Sequence, residues 1–115
     1  MESDMNKSKI KGTSAETAVV NWLTSQGRKY VERRALNGVN DRGDIAGIGG
    51  VVIEVKNHKE MKLSAWLKEL EVEMANDKAE TGVVIHKKTG TLDVGKWYAT
   101  MPVSEWFKLL EDAGY

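Results

Sequence analysis

The segment Gly43-Asp44-Ile45-Ala46-Gly47-Ile48-Gly49-Gly50-Val51-Val52-Ile53-Glu54-Val55-Lys56 constrains the chain more than any other. It reads as two short apolar strands joined at Gly49-Gly50, with three charged side chains set into them. A charge among buried strand residues is unfavourable unless it is paired or bound to a metal. Asp44, Glu54 and Lys56 are therefore read as partners of one another or of a cation. Glu54 and Lys56 are two residues apart on a strand and share one face, about 6.5–7 Å apart. Val51, Ile53 and Val55 share the other face and should pack on a helix. Asp44 joins Glu54 only under a register condition. A strict two-residue turn pairs Asp44 with Val55 and sends its carboxylate to the apolar side. An odd loop, such as Ile48-Gly49-Gly50 with a glycine bulge, pairs Asp44 with Glu54 and Ile45 with Ile53. The odd loop is the expectation.

Elsewhere helical and strand patterns alternate. Thr13-Ser14-Ala15-Glu16 has capping-box spacing and should open a helix. Ala15, Ala18, Val19, Trp22 and Leu23 form its apolar stripe, and Gly27 ends it. Tyr30 to Arg34 suits a strand, and 35–42, with Asn37-Gly38 and Asn40-Asp41, a turn-rich loop. After the hairpin, Ser64 can cap a second helix whose buried stripe is Leu67, Leu70 and Met74, with Trp66 beside it. Gly82 to Lys88 and Lys96 to Met101 read as strands around a Thr89-Gly90 turn. Pro102 suits a first helical position, and Val103, Trp106, Phe107 and Leu110 make a short amphipathic helix. The order α-β-β-β-α-β-β-α describes an α+β domain, a mixed sheet flanked by helices with a short C-terminal helix. Residues 1–8 should be a flexible start and 9–115 a single domain, since 115 residues allow one modest core. Trp22, Trp66, Trp97 and Trp106 fall on stripes that should be core, although one or two could stack on unpaired bases or line a dimer seam.

The absence of cysteine removes disulfides, zinc–thiolate sites and a cysteine nucleophile. The polar N-terminus has no apolar signal core, and no apolar run nears the roughly 20 residues of a membrane span. A soluble, cytoplasmic protein without a membrane partner is expected. Lys and Arg number 17, as do Asp and Glu, so the chain lacks the basic excess of a dedicated DNA binder. Its basic residues nonetheless cluster at Lys7-Lys9-Lys11, Arg28-Lys29, Arg33-Arg34, Lys56 to Lys62 and Lys87-Lys88. Acids gather at Glu69, Glu71, Glu73, Asp77 and Glu80 and in the Glu111-Asp112 tail. One basic and one acidic face would satisfy both facts; ordinary solvated charges are the alternative.

Two carboxylates held close repel, and a divalent cation removes the repulsion. Mg²⁺ takes one or two protein carboxylates plus waters and phosphate oxygens, which matches so sparse a set. Such an ion polarises a phosphodiester and activates water. Lys56 beside it could orient that water, carry charge on the phosphate, or lose its proton and act as a base. A Glu54–Lys56 ion pair on an exposed sheet face is the competing account.

Asp44 followed by Glu54-x-Lys56 resembles the signature of the PD-(D/E)XK nuclease superfamily, with Gly43 where that signature has proline. Lys11-Gly12-Thr13 leading to Glu16, then Arg33-Arg34, Arg42-Gly43-Asp44-Ile45 and Glu54-Val55-Lys56-Asn57, is similar to the small Holliday junction resolvases of archaea and phages. The likeness covers roughly positions 9 to 60. It implies a restriction-endonuclease-like αβββαβ core and Mg²⁺ or Mn²⁺ as cofactor. It also implies a homodimer that makes paired nicks in four-way DNA junctions, as in recombination and repair, and a phage or mobile-element origin, hence a host cytoplasm. The residues it marks as catalytic are Glu16, Asp44, Glu54 and Lys56. Asp44, Glu54 and the Val55 carbonyl would bind metal, and Glu16 would hold a metal-bound water or a second ion. On its position alone, Glu16 could equally serve only its own helix as the capping-box acid. DNA contacts are expected from Lys9, Lys11, Arg33, Arg34, Arg42, Asn57 and Lys59, gripping phosphates without reading sequence. His58 is read as a surface or phosphate-contacting group and His86 as structural. Two further functions stay open: a nicking, flap or replication-linked nuclease of the same superfamily, and a nucleic-acid-binding module without catalysis.

Overall fold

Successive side chains of a strand point to opposite faces of its sheet, and the run 51–56 uses both, with a different helix closing each side. The computed structural model describes residues 4–35 and 40–115. Its elements are α1 (Asp4–Ser25), β1 (Glu32–Arg33), β2 (Ile45–Ala46), β3 (Val51–Lys56), α2 (Leu63–Asp77), β4 (Thr81–His86), a 3₁₀ turn (Val94–Lys96), β5 (Tyr98–Thr100) and α3 (Val103–Asp112). The five strands lie in the order β1-β2-β3-β4-β5. β3 and β4 are parallel and the other neighbours antiparallel, so α2 is the crossover that parallel pairing requires. This is an α+β fold with an αβββαβ core, extended by β5 and α3.

Ile45 pairs with Ile53, and the Val51 N–H donates to the Ile48 carbonyl at 3.2 Å. That bond closes a turn on Gly49-Gly50, so the expected register is reached by one extra residue before the turn, where Gly47 has φ +108°, rather than by a three-residue loop. Ile53 and Val55 pack with Ala15 and Val19 of α1, together with Val31, Ile45, Val94 and Trp97. Val52 packs the opposite way with Trp66 and Leu70 of α2 and with Val84. Val19, Val52, Leu70 and Val84 are fully buried, each worth roughly 1.5–3 kcal/mol of transfer free energy. The longest strand pairing, β3 with β4, therefore sits between two apolar layers, and the charged end of β3 emerges between the two helices.

Three expectations are corrected. α1 begins at Asp4, not at the Thr13 capping box, so that box lies mid-helix and residues 4–8 are helical backbone. Lys7 to Lys11 contains no helix breaker, and one interior glycine, Gly12, lowers helix stability by only about 1 kcal/mol. α2 begins at Leu63 with Lys62 at its cap and no side-chain capping bond; the Trp66 N–H meets the Lys62 carbonyl at 3.0 Å instead. Trp66 and Trp97 are core and Trp22 packs on it, but Trp106 is 52 % exposed, with Val103 and Phe107 beside it. The apolar stripe of α3 faces outward. Smaller differences are a Pro102 that sits just before α3, a fourth strand that starts one residue earlier and ends two earlier, at Thr81–His86, and a fifth trimmed to Tyr98–Thr100. The Asn37-Gly38 turn lies outside the described residues. No helix among the described residues is long and apolar enough to cross a membrane.

Candidate active site

Asp44 is fixed by its backbone before its side chain does anything. Its carbonyl accepts from the Arg34 N–H at 2.7 Å, and its own N–H donates to the Ile53 carbonyl at 2.9 Å. The side chain then accepts the Val55 N–H on Oδ2 at 2.7 Å, which sets the carboxyl beside Glu54. The register condition is met. Gly43 is what lets the chain arrive there. Its φ is +98°, and a Cβ would lie 2.8 Å from Val52 Cγ1 and 3.4 Å from Glu73 Oε2. Proline, with φ near −65°, could not stand at this position.

Glu16 from α1, Asp44, Glu54, Val55 and Lys56 line one depression of about 380 Å³. Glu54 is 2 % exposed. Burial, and then the adjoining carboxyls of Asp44 and Glu73, push its pKa far above the usual carboxylate range. It holds a proton unless another cation takes the proton's place. Lys56 Nζ lies 2.8 Å from Glu69 Oε2 and 3.8 Å from Glu54 Oε2. Burial opposes its charge, but the Glu69 hydrogen bond and the nearby acids outweigh burial and raise its pKa. In the metal-free site Lys56 is thus held as an ammonium. Glu16 accepts from Arg33 Nε at 2.9 Å. Burial raises its pKa, the Arg33 bond works against that, and Asp44 adds to it.

Strand alternation also places the Val55 carbonyl. The Ile53 carbonyl and the Val55 N–H both address Asp44. Backbone groups two residues apart face the same strand edge, so the Val55 carbonyl points to that edge too, into the depression it lines. Asp44, Glu54 and this carbonyl form an all-oxygen set that could hold a hard divalent cation.

The acids of α2 do not form a separate acidic face. Glu71 and Glu80 are exposed, but Glu69 lines the depression and Glu73 is 1 % exposed. One carboxylate oxygen from each of Asp41, Glu54, Glu69 and Glu73 lies within 4.8 Å of the others. Burial, with the charges of Asp41, Glu69 and Asp44, pushes Glu73 up to about 7, although its contact with Glu54 works against this. Burial acts to raise Glu69 as well, but its bonds to Glu54 and Lys56 prevail and hold it below the usual range. The sequence held a signal for Glu73: it lies three residues after Leu70 and seven after Trp66, on the buried stripe itself.

The expected DNA-contacting residues fall into three groups. Lys11, Asn57 and Lys59 line the central depression and continue into a second one with His58 and Lys87. Lys9, Arg33 and Arg34 line a third, joined to the centre through Gly12 and Glu16. Arg42 lines none of these three depressions and pairs with Asp77 at 3.6 Å. An acidic centre is thus flanked on two sides by basic depressions. His86, 5 % exposed, bonds Thr100 Oγ1 through Nε2 at 2.8 Å and packs between Trp66 and Tyr98, as a structural histidine does. His58 packs on Trp66 at the rim. No family model matches this chain, and neither a curated protein nor a solved structure matches it.

Proposed function

We propose that the chain is a metal-dependent DNA endonuclease acting on branched DNA, most concretely a resolvase that places paired nicks in a four-way junction. The observation that carries this reading is the register of the hairpin. It delivers Asp44 to Glu54 with an amide bond at 2.7 Å holding the carboxylate in place. Asp44, Glu54 and the Val55 carbonyl would hold Mg²⁺ or Mn²⁺, and the ion when bound supplies Lewis acidity at a phosphate oxygen. Lys56, kept charged by Glu69, would face the phosphate and stabilise the charge that builds on it. Glu16, oriented by Arg33, would hold the attacking water. Lys11 and Lys59 on one side and Lys9 and Arg34 on the other would seat backbone phosphates, which position a strand without reading its sequence. Paired nicks need two such sites, and the uncovered Val103-Trp106-Phe107 face of α3 supports a homodimer.

The test is a synthetic four-way junction incubated with Mg²⁺ beside Asp44→Asn and Glu54→Gln. Symmetric nicks from the natural chain, reduced at least about a hundredfold in both variants, are expected. Cleavage of flaps or nicked duplex alone would move the reading to a related nuclease. Junction binding without any cleavage in Mg²⁺ or Mn²⁺ would leave a binding module.

A further inference from the structure

Glu73 is the group the proposed reaction does not use. It is 1 % exposed, and apart from the proton held on Glu54 neither of its oxygens finds a hydrogen-bond donor. No ordinary helix surface does this: a buried, unpaired acid is strongly unfavourable unless something cationic meets it. Its oxygens face Glu54 of β3, and Glu69 and Asp41 complete a ring whose ligand atoms are all within 4.8 Å of one another. Asp44 is not a member of that ring. Asp41 is held in place by donating neighbours, the Gly43 N–H to its Oδ1 at 2.9 Å and Asn76 Nδ2 to its carbonyl at 2.8 Å. Of these four, Lys56 reaches only Glu69 and Glu54, at 2.8 and 3.8 Å, and leaves Asp41 and Glu73 to a cation from outside the chain.

We propose that Asp41, Glu54, Glu69 and Glu73 form a second divalent-cation position, on the α2 side of Glu54. Four carboxylates and no nitrogen or sulfur donor select a hard ion such as Mg²⁺, Mn²⁺ or Ca²⁺. An ion there ties α2 to β3 and joins the loop before β2 to both. The proposal goes beyond the nuclease reading and shares only Glu54 with it.

Mn²⁺ is the probe, titrated without DNA at pH 7.5 and followed by its electron paramagnetic resonance signal. The natural chain, Glu73→Gln, Glu69→Gln and Asp44→Asn are compared. The natural chain is expected to bind an ion that both Glu73→Gln and Glu69→Gln weaken at least tenfold and that Asp44→Asn retains. Mn²⁺ should raise the melting temperature of the natural chain and of Asp44→Asn, and much less that of the two glutamine variants. Glu69 is partly exposed, so Glu69→Gln reports even if Glu73→Gln does not fold. Absence of Mn²⁺ binding, full retention in the glutamine variants, or loss of one ion from all three variants overturns the proposal. The nuclease reading stands or falls separately, on junction cleavage and its loss in Asp44→Asn.

Discussion

Replacing Glu73 with glutamine should stabilise the metal-free protein at neutral pH and leave it unchanged in acid. The folded carboxyl is pushed from 4.5 to about 7 by burial and by the acids around it. Between those values the folded state binds more protons than the unfolded chain, so stability falls as pH rises through the window and levels off above about 7. The lost stability is about 3 kcal/mol, a large share of what holds a domain of this size. Glutamine has the shape of the protonated acid and no charge to ionise. Its difference from the natural chain should be near zero at pH 4, grow through pH 5 and 6, and reach about 3 kcal/mol in the variant's favour at pH 8.

Urea unfolding in EDTA, followed by the fluorescence of the buried Trp66 and Trp97, measures this at each pH. Taking the difference between the two proteins matters. Burial lowers the pKa of His58 and His86, and the loss of that stability as pH falls gives an opposite slope common to both proteins. A difference that stays flat from pH 4 to 8, or grows in the other direction, refutes the argument that Glu73 is buried without a cation.

Gly43→Ala should lower stability by about 2 kcal/mol or more, because its Cβ meets Val52 and its φ is left-handed; thermal melting beside Gly90→Ala, where φ is positive but nothing is touched, separates contact from backbone strain. Lys59→Ala and Arg34→Ala should each weaken junction binding and reduce the slope of log affinity against log salt by about one; an unchanged slope removes that residue from the phosphate track. Trp106→Glu should convert a dimer to a monomer in sedimentation, and a natural chain already monomeric at micromolar concentration removes α3 as the seam.

The parts of this molecule legible in its sequence are those whose cause is local. Strand alternation and two adjacent glycines place a hairpin at 44–56 and leave two registers, of which only the one that pairs Ile45 with Ile53 keeps the Asp44 carboxylate out of the apolar side, and that one is formed. Burial of Glu73 does not follow in the same way. Its spacing from Trp66 and Leu70 marks it as inward-facing, yet an inward acid is tolerable only because β3 delivers Glu54 and the loop delivers Asp41 to the same place. Those are meetings across the fold, and acids at helical spacing look the same when they are merely solvated. The start of α1 has a related cause, since a capping box satisfies free N–H groups where a helix begins but cannot forbid a helix from beginning earlier. Trp106 makes the point most sharply. Trp66 and Trp106 both sit on apolar helical stripes, and one is 6 % exposed and the other 52 %. A stripe reports that a face gains by being covered. Whether the cover comes from the same chain or a second one is decided by connectivity and by how much sheet is left to pack against, and α3 follows a sheet whose two faces α1 and α2 already hold.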